Sequence, residues 1–539
     1  MNILPRTKEY RPADGVYAVG KTVTVYGNRN DLSFGLNLLR EYFDLFGAEV
    51  SHTENLTRAD IVAEKITDGA GRTEYYETAV GKNGIIVRYT DALSFRNAAA
   101  TLIALLRRES DGFKIDCCNV KDYANYPYRG YMLDLARKYV ETDEIKEQIF
   151  LLARAKYTVL HLHLLDTERY ALKSEAVPAL NENPIFRQYT KEEMKNLTEY
   201  AGKFGITVIP ELDFPGHGLF LLERLPEARC VKDGEKIGIW DMCVSCEDTY
   251  RFVDLLVGEL TEIFPAEYVH LGGDELSFYD MKDSGYWPNW YECDRCKALA
   301  EKEGLKSASD YYCYFVRRVY DVVKKHGRKL MIWNDSIDIS ESPDIPRDVL
   351  IHFWRVAVET RGPHDGCSMQ RFLEEGFTVV NSFYEEVYAD DYIVSDRLAK
   401  WTPSSNPPVD EKYKKQILGG EICAWGIRNH YDYTLPVNLM LFSDRLWNSE
   451  PFGCEDVQPA LVRQLIGNES DFVNVFQLLG GTIMPLDGQK KYCAADNADK
   501  EKVDKAIESV SRKNAEGRGN TVFLRGLTDC LEQLRHDLK

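Results

Sequence analysis

The stretch YVHLGGDELSFYD, Tyr268 to Asp280, sets two carboxylates, Asp274 and Glu275, side by side behind two glycines and a run of strand-forming residues. On a strand, adjacent residues face opposite sides. Other short apolar runs also close on residues able to do chemistry. Arg137 follows GYMLDLA, Asp166 follows TVLHLHLL, and Asp213 and His217 lie in TVIPELDFPGH. Trp333 and Asp335 end KLMIWND, Trp354 ends VLIHFW, Tyr388 and Asp390 follow TVVNSF, and Trp425 ends LGGEICAW. Singly, each has an ordinary explanation, because an Asp at a strand end often caps a turn or helix. Together, acids, an arginine and tryptophans suit a sugar, with hydroxyls for the charged groups and apolar ring faces for the aromatics. A conventional glycosidase sets its two carboxyl groups roughly 5 Å or more apart across the scissile bond. Neighbouring acids do not fit those opposed roles. They fit substrate-assisted hydrolysis, in which one acid protonates the leaving oxygen and the other holds the N–H of a 2-acetamido group whose carbonyl attacks the anomeric carbon. Two other readings stay open on the residues alone: a sugar-binding barrel without activity, and a conventional pair such as Asp166 with Glu275. Asp335 either binds substrate or caps a loop.

Such a rim requires elements that bring many strand ends together. Apolar, β-rich runs at 130–136, 158–165, 207–213, 268–275, 329–335, 349–354, 378–383 and 418–425 alternate with segments of helical spacing such as TDEIKEQIFLLARAK and SDYYCYFVRRVYDVVKKHG. The pattern predicts an α/β fold, a (β/α)8 barrel whose site lies at the C-terminal ends of its strands. Residues 1–122 read as a small α/β domain, 123–470 as the barrel and 471–539 as a helical extension.

Composition narrows the partners. A net charge of −19 argues against nucleic acid, whose phosphates need a basic surface. No apolar run reaches the roughly 18 residues of a membrane-spanning helix. The opening MNILPRTKEYRPADG has no apolar core and does not read as a signal peptide. Thirteen cysteines, an odd number that includes the neighbours Cys117 and Cys118, fit a reducing compartment better than a disulfide framework, so the expected location is the cytoplasm. Two C-x-x-C units, CVSC (Cys243, Cys246) and CDRC (Cys293, Cys296), bracket the acid-bearing strand. Paired units of this kind are a structural zinc signature, with packed free thiols as the alternative. Four thiolates would close the coordination shell, so a catalytic zinc is not expected there.

The motifs RGYMLDLARKY, LHLHLLD, VIPELDFPGH, HLGGDE, MIWND, NSFYEEVYAD and LGGEICAW, in this order, resemble the family 20 glycoside hydrolases, the β-N-acetylhexosaminidases, across about residues 129–450. A small α/β domain ahead of the barrel is also typical of that family. The resemblance implies an exo-acting, retaining enzyme that removes terminal GlcNAc or GalNAc from an amino-sugar oligosaccharide or glycoconjugate, with no cofactor for the chemistry and no nucleic-acid or membrane partner. It implies Glu275 as acid/base, Asp274 as the residue orienting the acetamido group, and Tyr388 as the hydroxyl on its carbonyl. It implies Trp333, Trp354 and Trp425 as a box around the acetamido methyl, Arg137 and Asp390 on sugar hydroxyls, and Asp166 with His217 as a relay to the acid, supported by Asp213. His161 and His163 are expected as barrel-interior packing residues. The chain departs from the family pattern in two places. Thr167-Glu168-Arg169-Tyr170-Ala171 stands where many members have a second Asp and then Gln-Gly-Trp-Arg, and Ile427 stands where many have Glu. Trp401 is a candidate to close the box.

Overall fold

The computed structural model describes residues 3–538 except 70, 110–111, 183–186, 277–288, 340–341, 357–367, 390–397, 427–433, 466–498 and 516–520. Eight parallel strands close into a barrel: β1 (Tyr128–Asp134), β2 (Val159–His163), β3 (Thr207–Glu211), β4 (Tyr268–His270), β5 (Lys329–Trp333), β6 (Leu350–Phe353), β7 (Thr378–Asn381) and β8 (Ile417–Ala424). β8 pairs back onto β1, with Glu421 opposite Gly130. Six strands lie inside the apolar runs read from the sequence, and β1 and β8 overlap theirs, starting two residues and one residue earlier. Amphipathic helices cross back between strands. Thr190 and Ser307 open two of them with capping boxes completed by Glu193 and Asp310, which satisfy the first free N–H groups.

The period of two in β2 separates two environments. Leu160 and Leu162 join the core beneath the helices, whereas Val159 joins the small cluster inside the barrel. The barrel interior is layered. Tyr128, Val159, Ile209, Met331, Leu350 and Val380 form an apolar lower plug. Above it lie His161, Glu211, His270, His352 and Glu421, all fully buried. Met132, Trp333, Trp354, Cys423 and Trp425 make the upper layer, the floor of the rim. Branched apolar residues usually dominate such interiors, so the middle layer is unusual. It is internally paired. His161 Nδ1 lies 2.7 Å from Glu421 and its Nε2 lies 3.2 Å from Glu211. His270 Nδ1 lies 3.1 Å from Glu211, and Tyr128 donates to Glu421 at 2.7 Å. His161 and His163 are thus interior, as expected, but they carry charge pairing rather than simple packing.

Ahead of the barrel, a mixed sheet has the strand order Glu9–Val19, Gly112–Ala124, Thr73–Gly81, Gly84–Tyr89, Ile61–Lys65, Thr22–Tyr26 and Glu49–Thr53, with helices Ser33–Asp44 and Ala92–Leu105 packed on it. Buried ion pairs tie this sheet to the barrel. Arg129 of β1 donates to both carboxylate oxygens of Glu74 at 3.0 and 2.7 Å. Lys156 donates to Asp122 at 3.0 Å and sits 4.1 Å over the Trp447 ring. Removing one member of such a pair strands a buried charge at a cost of about 3–5 kcal/mol, which holds the two units in one register. Helices Lys500–Ala515 and Thr521–Asp537 pack together at the C-terminal end. Among the described residues no helix is long and apolar enough to cross a membrane.

Candidate active site

β4 ends at His270, four residues before the paired acids. Gly272 and Gly273 then take left-handed φ values of 56° and 92°, and Glu275 takes 48°. A Cβ on Gly272 would lie 2.0 Å from Asp213 Oδ1, and one on Gly273 would lie 1.9 Å from the Tyr312 hydroxyl. Only glycines pass between those two side chains. Asp274 and Glu275 therefore lie on a left-handed turn beyond the strand, not on its alternating faces, and the pleat does not direct them apart. A left-handed φ costs a non-glycine residue of order 1–3 kcal/mol and needs surrounding restraint. Here the Glu275 N–H donates to Asp335 at 3.1 Å, and the Trp240 indole donates to the Glu275 carbonyl at 3.3 Å. The Glu275 side chain is 47% exposed and that of Asp274 12%. One acid thus reaches the open rim while the other lies beneath it.

Both acids face one imidazole. His217 Nε2 is 3.6 Å from Glu275 Oε2 and 3.9 Å from Asp274 Oδ2. Its Nδ1 lies 3.0 Å from Asp166 Oδ1. The other oxygen of Asp166 lies 2.7 Å from His163 Nε2, and His163 Nδ1 lies 2.6 Å from Glu211. A chain of alternating carboxylates and imidazoles thus runs from the barrel centre to Glu275. The electrostatics follow its order. Burial pulls the His217 imidazole down, but Asp166 and Asp213 outweigh it and hold the ring well above its usual pKa. Burial alone would raise Asp166, yet His217 and Arg137 keep it well below the carboxylate range. Burial raises Asp213 to about 6. Burial, then Asp213 beside it, pushes Asp274 well above its usual value.

This arrangement has a consequence for stability. The His217 pKa is raised on folding, so its stabilisation is complete below the unfolded value of about 6.5 and fades as pH rises through the higher folded value. The stability gap between wild type and His217→Gln should therefore be widest below about pH 6.5 and shrink in alkali. Urea unfolding of both proteins across pH 5 to 10 measures it. A gap that widens as pH rises would contradict the charged imidazole.

Arg137 is locked rather than free. It lies 2.5 Å from Asp166, 3.2 Å from Asp134 and 3.5 Å from Glu168, and its guanidinium sits 5.2 Å over the Trp425 ring. The departure after Asp166 thus supplies part of this clamp through Glu168. Arg169, in the same stretch, donates to the carbonyls of Leu135, Ala136 and Lys138 and braces the loop that carries Arg137.

An aromatic wall stands beside the acids. Trp354 stacks on Tyr388 with centroids 6.1 Å apart and planes 12° apart. Trp425 lies 6.1 Å from Trp333 and 6.0 Å from Tyr388. Two indoles are pinned, Trp333 to Glu211 at 2.7 Å and Trp354 to Asp335 at 3.0 Å. Asp335 also binds Arg355 at 2.7 Å, so it accepts from three groups around the Glu275 turn.

Residues 126–449 match the catalytic domain of glycosyl hydrolase family 20, and residues 1–123 match domain 2 of the same family. The chain belongs to glycosyl hydrolase family 20. Its similarity to individual members is modest. It is 26% identical over 391 residues to a β-hexosaminidase of Vibrio furnissii, covering 65% of this chain and 61% of that one. It is 27% identical over 373 residues to the β-hexosaminidase subunit alpha of Mus musculus, covering 65% and 66%. The matched regions thus span less than two thirds of these curated relatives. The fold superposes on the exo-β-N-acetylglucosaminidase of Vibrio harveyi, solved in complex with N-acetylglucosamine, with a TM-score of 0.73, 22% identity and coverage of 86% of this chain and 78% of that one. A chitobiase of Flavobacterium johnsoniae gives a TM-score of 0.73 at 21% identity, covering 99% and 92%.

Several expectations change. Trp401 does not close the box: its ring lies 5.3 Å from Phe442 beneath helix Thr434–Trp447, and its indole donates to Asn406 at 3.2 Å. Gly420 makes room for it on the outer face of β8, where a Cβ would come within 2.8 Å of the ring. Asp390 and Ile427 lie outside the described residues. The sulfurs that converge are Cys230, Cys243, Cys293 and Cys296. Cys246 precedes helix Glu247–Ile263 and turns away, donating to the Glu227 carbonyl at 3.3 Å and lying 3.2 Å from Arg295. Cys230 arrives on a short ribbon, Cys230–Lys232 with Glu235–Ile237, that C-x-x-C spacing does not reveal. Sequence reasoning also passed over Trp240, whose ring is 5.0 Å from His217, and Arg355, which sits 4.3 Å over Trp354 and 3.9 Å from Glu275. Arg355 directly follows Trp354 and could have been read with it; Trp240 stands in a loop with no motif.

Proposed function

We propose that this family 20 chain is an exo-acting, retaining β-N-acetylhexosaminidase working through the substrate's own acetamido group. The observation that carries the reading is the convergence of Asp274 and Glu275, from one turn, on His217 beside the Trp333–Trp354–Trp425–Tyr388 wall. Glu275, the exposed member, gives its proton to the leaving glycosidic oxygen. The acetamido carbonyl oxygen bonds to the anomeric carbon as the C–O bond breaks, forming an oxazolinium ring. Asp274 accepts the acetamido N–H, whose approach favours the carboxylate over the acid form that burial imposes. Tyr388 donates to the carbonyl oxygen, and the tryptophans enclose the methyl. Water then attacks the anomeric carbon while Glu275 takes its proton, so two inversions give retention. The His217 imidazolium, held by Asp166, faces Glu275 and stabilises the carboxylate left by the first proton transfer. Arg137 and Asp390 serve the sugar hydroxyls in this reading. The names of the relatives, β-hexosaminidase and exo-β-N-acetylglucosaminidase, support the amino-sugar part of this reading.

The test is a panel of aryl β-glycosides with a thiazoline that mimics the oxazoline. Release from β-GlcNAc or β-GalNAc, none from β-glucoside, and competitive inhibition by the thiazoline are expected. Equal cleavage of the glucoside would instead favour a two-carboxylate mechanism. Tight thiazoline binding with no turnover of any amino sugar would favour a binding barrel.

A further inference from the structure

Cys230, Cys243, Cys293 and Cys296 are buried, and their four Sγ atoms all lie within 4.8 Å of one another. Cys243 is 3.8 Å from Cys293 and 3.6 Å from Cys296. Disulfide sulfurs stand about 2.05 Å apart, so these are separate thiols. Four sulfurs each about 2.3 Å from one zinc ion occupy tetrahedral corners about 3.8 Å apart, close to the separations of Cys243 from Cys293 and Cys296. The surroundings suit thiolates better than packed apolar thiols. The Val231 N–H donates to Cys293 Sγ at 3.4 Å, and the Ser245 hydroxyl lies 3.2 Å from Cys243 Sγ and 3.3 Å from Cys296 Sγ. Cys293 is the N-cap of helix Asp294–Glu303 and Cys296 lies in its first turn, where the helix dipole favours negative charge. Donors aimed at the sulfurs are the outer shell a thiolate metal site needs.

We propose that Cys230, Cys243, Cys293 and Cys296 bind one structural zinc ion that staples the loop after β3 to the segment following the catalytic turn. The ion would take two thiolate pairs from stretches about fifty residues apart, with no open coordination position for substrate or water. Its position explains how the catalytic turn is braced. From the stapled region, Trp290 donates to the Met242 carbonyl at 2.8 Å, and the Trp240 carbonyl accepts from Gly218 at 2.8 Å while its indole holds the Glu275 carbonyl. The proposal stands on the cysteine geometry and not on the hydrolase reading.

The experiment is metal analysis of the full-length protein purified without chelator, beside Cys230→Ser and Cys246→Ser variants. One zinc per chain is expected in the wild type and in Cys246→Ser, with loss of that zinc in Cys230→Ser. In case Cys230→Ser fails to fold, cobalt is exchanged into the wild type, where intense tetrahedral d–d bands and a thiolate-to-cobalt charge-transfer band are expected. Wild-type protein that takes up no stoichiometric zinc and no tetrahedral cobalt while its thiols remain reduced would overturn the proposal. So would zinc lost from Cys246→Ser but kept in Cys230→Ser, or a different metal held in its place.

Discussion

Glu275→Gln is expected to lower kcat/KM on a natural β-linked GlcNAc disaccharide by about 10³- to 10⁴-fold, the upper range of what a positioned acid/base contributes. The same change should cost far less on a dinitrophenyl β-GlcNAc, whose leaving group departs without a proton. Glutamine keeps the size of the side chain, and the turn is held through the backbone N–H and carbonyl of residue 275, which the substitution leaves in place. The melting temperature should therefore stay close to that of wild type, so that the loss reports chemistry and not folding. Azide should raise turnover of the activated substrate, because an anion attacks the oxazolinium without the base that the variant lacks. An equal loss on both substrates, whatever the leaving group, would remove Glu275 from the acid role.

Asp274→Asn is expected to lower kcat by about 10²- to 10³-fold with little change in KM, as for loss of one electrostatic contact made in the transition state. Asparagine can still accept the acetamido N–H, so ground-state binding survives, but it carries no charge to offset the oxazolinium. Participation by the acetamido group also predicts that wild-type kcat/KM falls steeply along an N-acetyl, fluoroacetyl, difluoroacetyl, trifluoroacetyl series. A flat series, or a loss confined to KM, would sink the assignment. Stability should move the other way. Burial and Asp213 raise the Asp274 pKa on folding, so ionised Asp274 weakens the fold, and that penalty sets in as pH rises above its unfolded value of about 3.9. The variant should be the more stable protein at pH 8, by a margin that narrows towards pH 4. A catalytic site that gains stability when its charge is removed is the signature of a strained functional group.

Much of this was legible in the sequence, for a physical reason. Strand and helix periodicity is local, so the eight apolar runs, their alternation with helices and the rim at their C-terminal ends could all be read from neighbours along the chain. The motif residues stood out as a set, because nearly every strand end carries one, although an Asp at any single strand end commonly caps a turn or helix. What periodicity does not carry is the direction of a side chain once the regular element stops. Asp274 and Glu275 were placed together by the sequence, but only the left-handed path forced between Asp213 and Tyr312 aims both at His217. Glu211, His270, His352 and Glu421 lay hidden in apolar runs, since their partners come from strands distant along the chain and their charges are tolerable only once those partners are met. Cys230 replaced Cys246 for the same reason: a metal-ligand set is a distance relation among sulfurs, and spacing along the chain gives that relation only within a single turn. Local order was therefore determined by the sequence on its face, while convergence across the barrel was decided by tertiary structure, where long-range contacts choose which polar groups can be buried together.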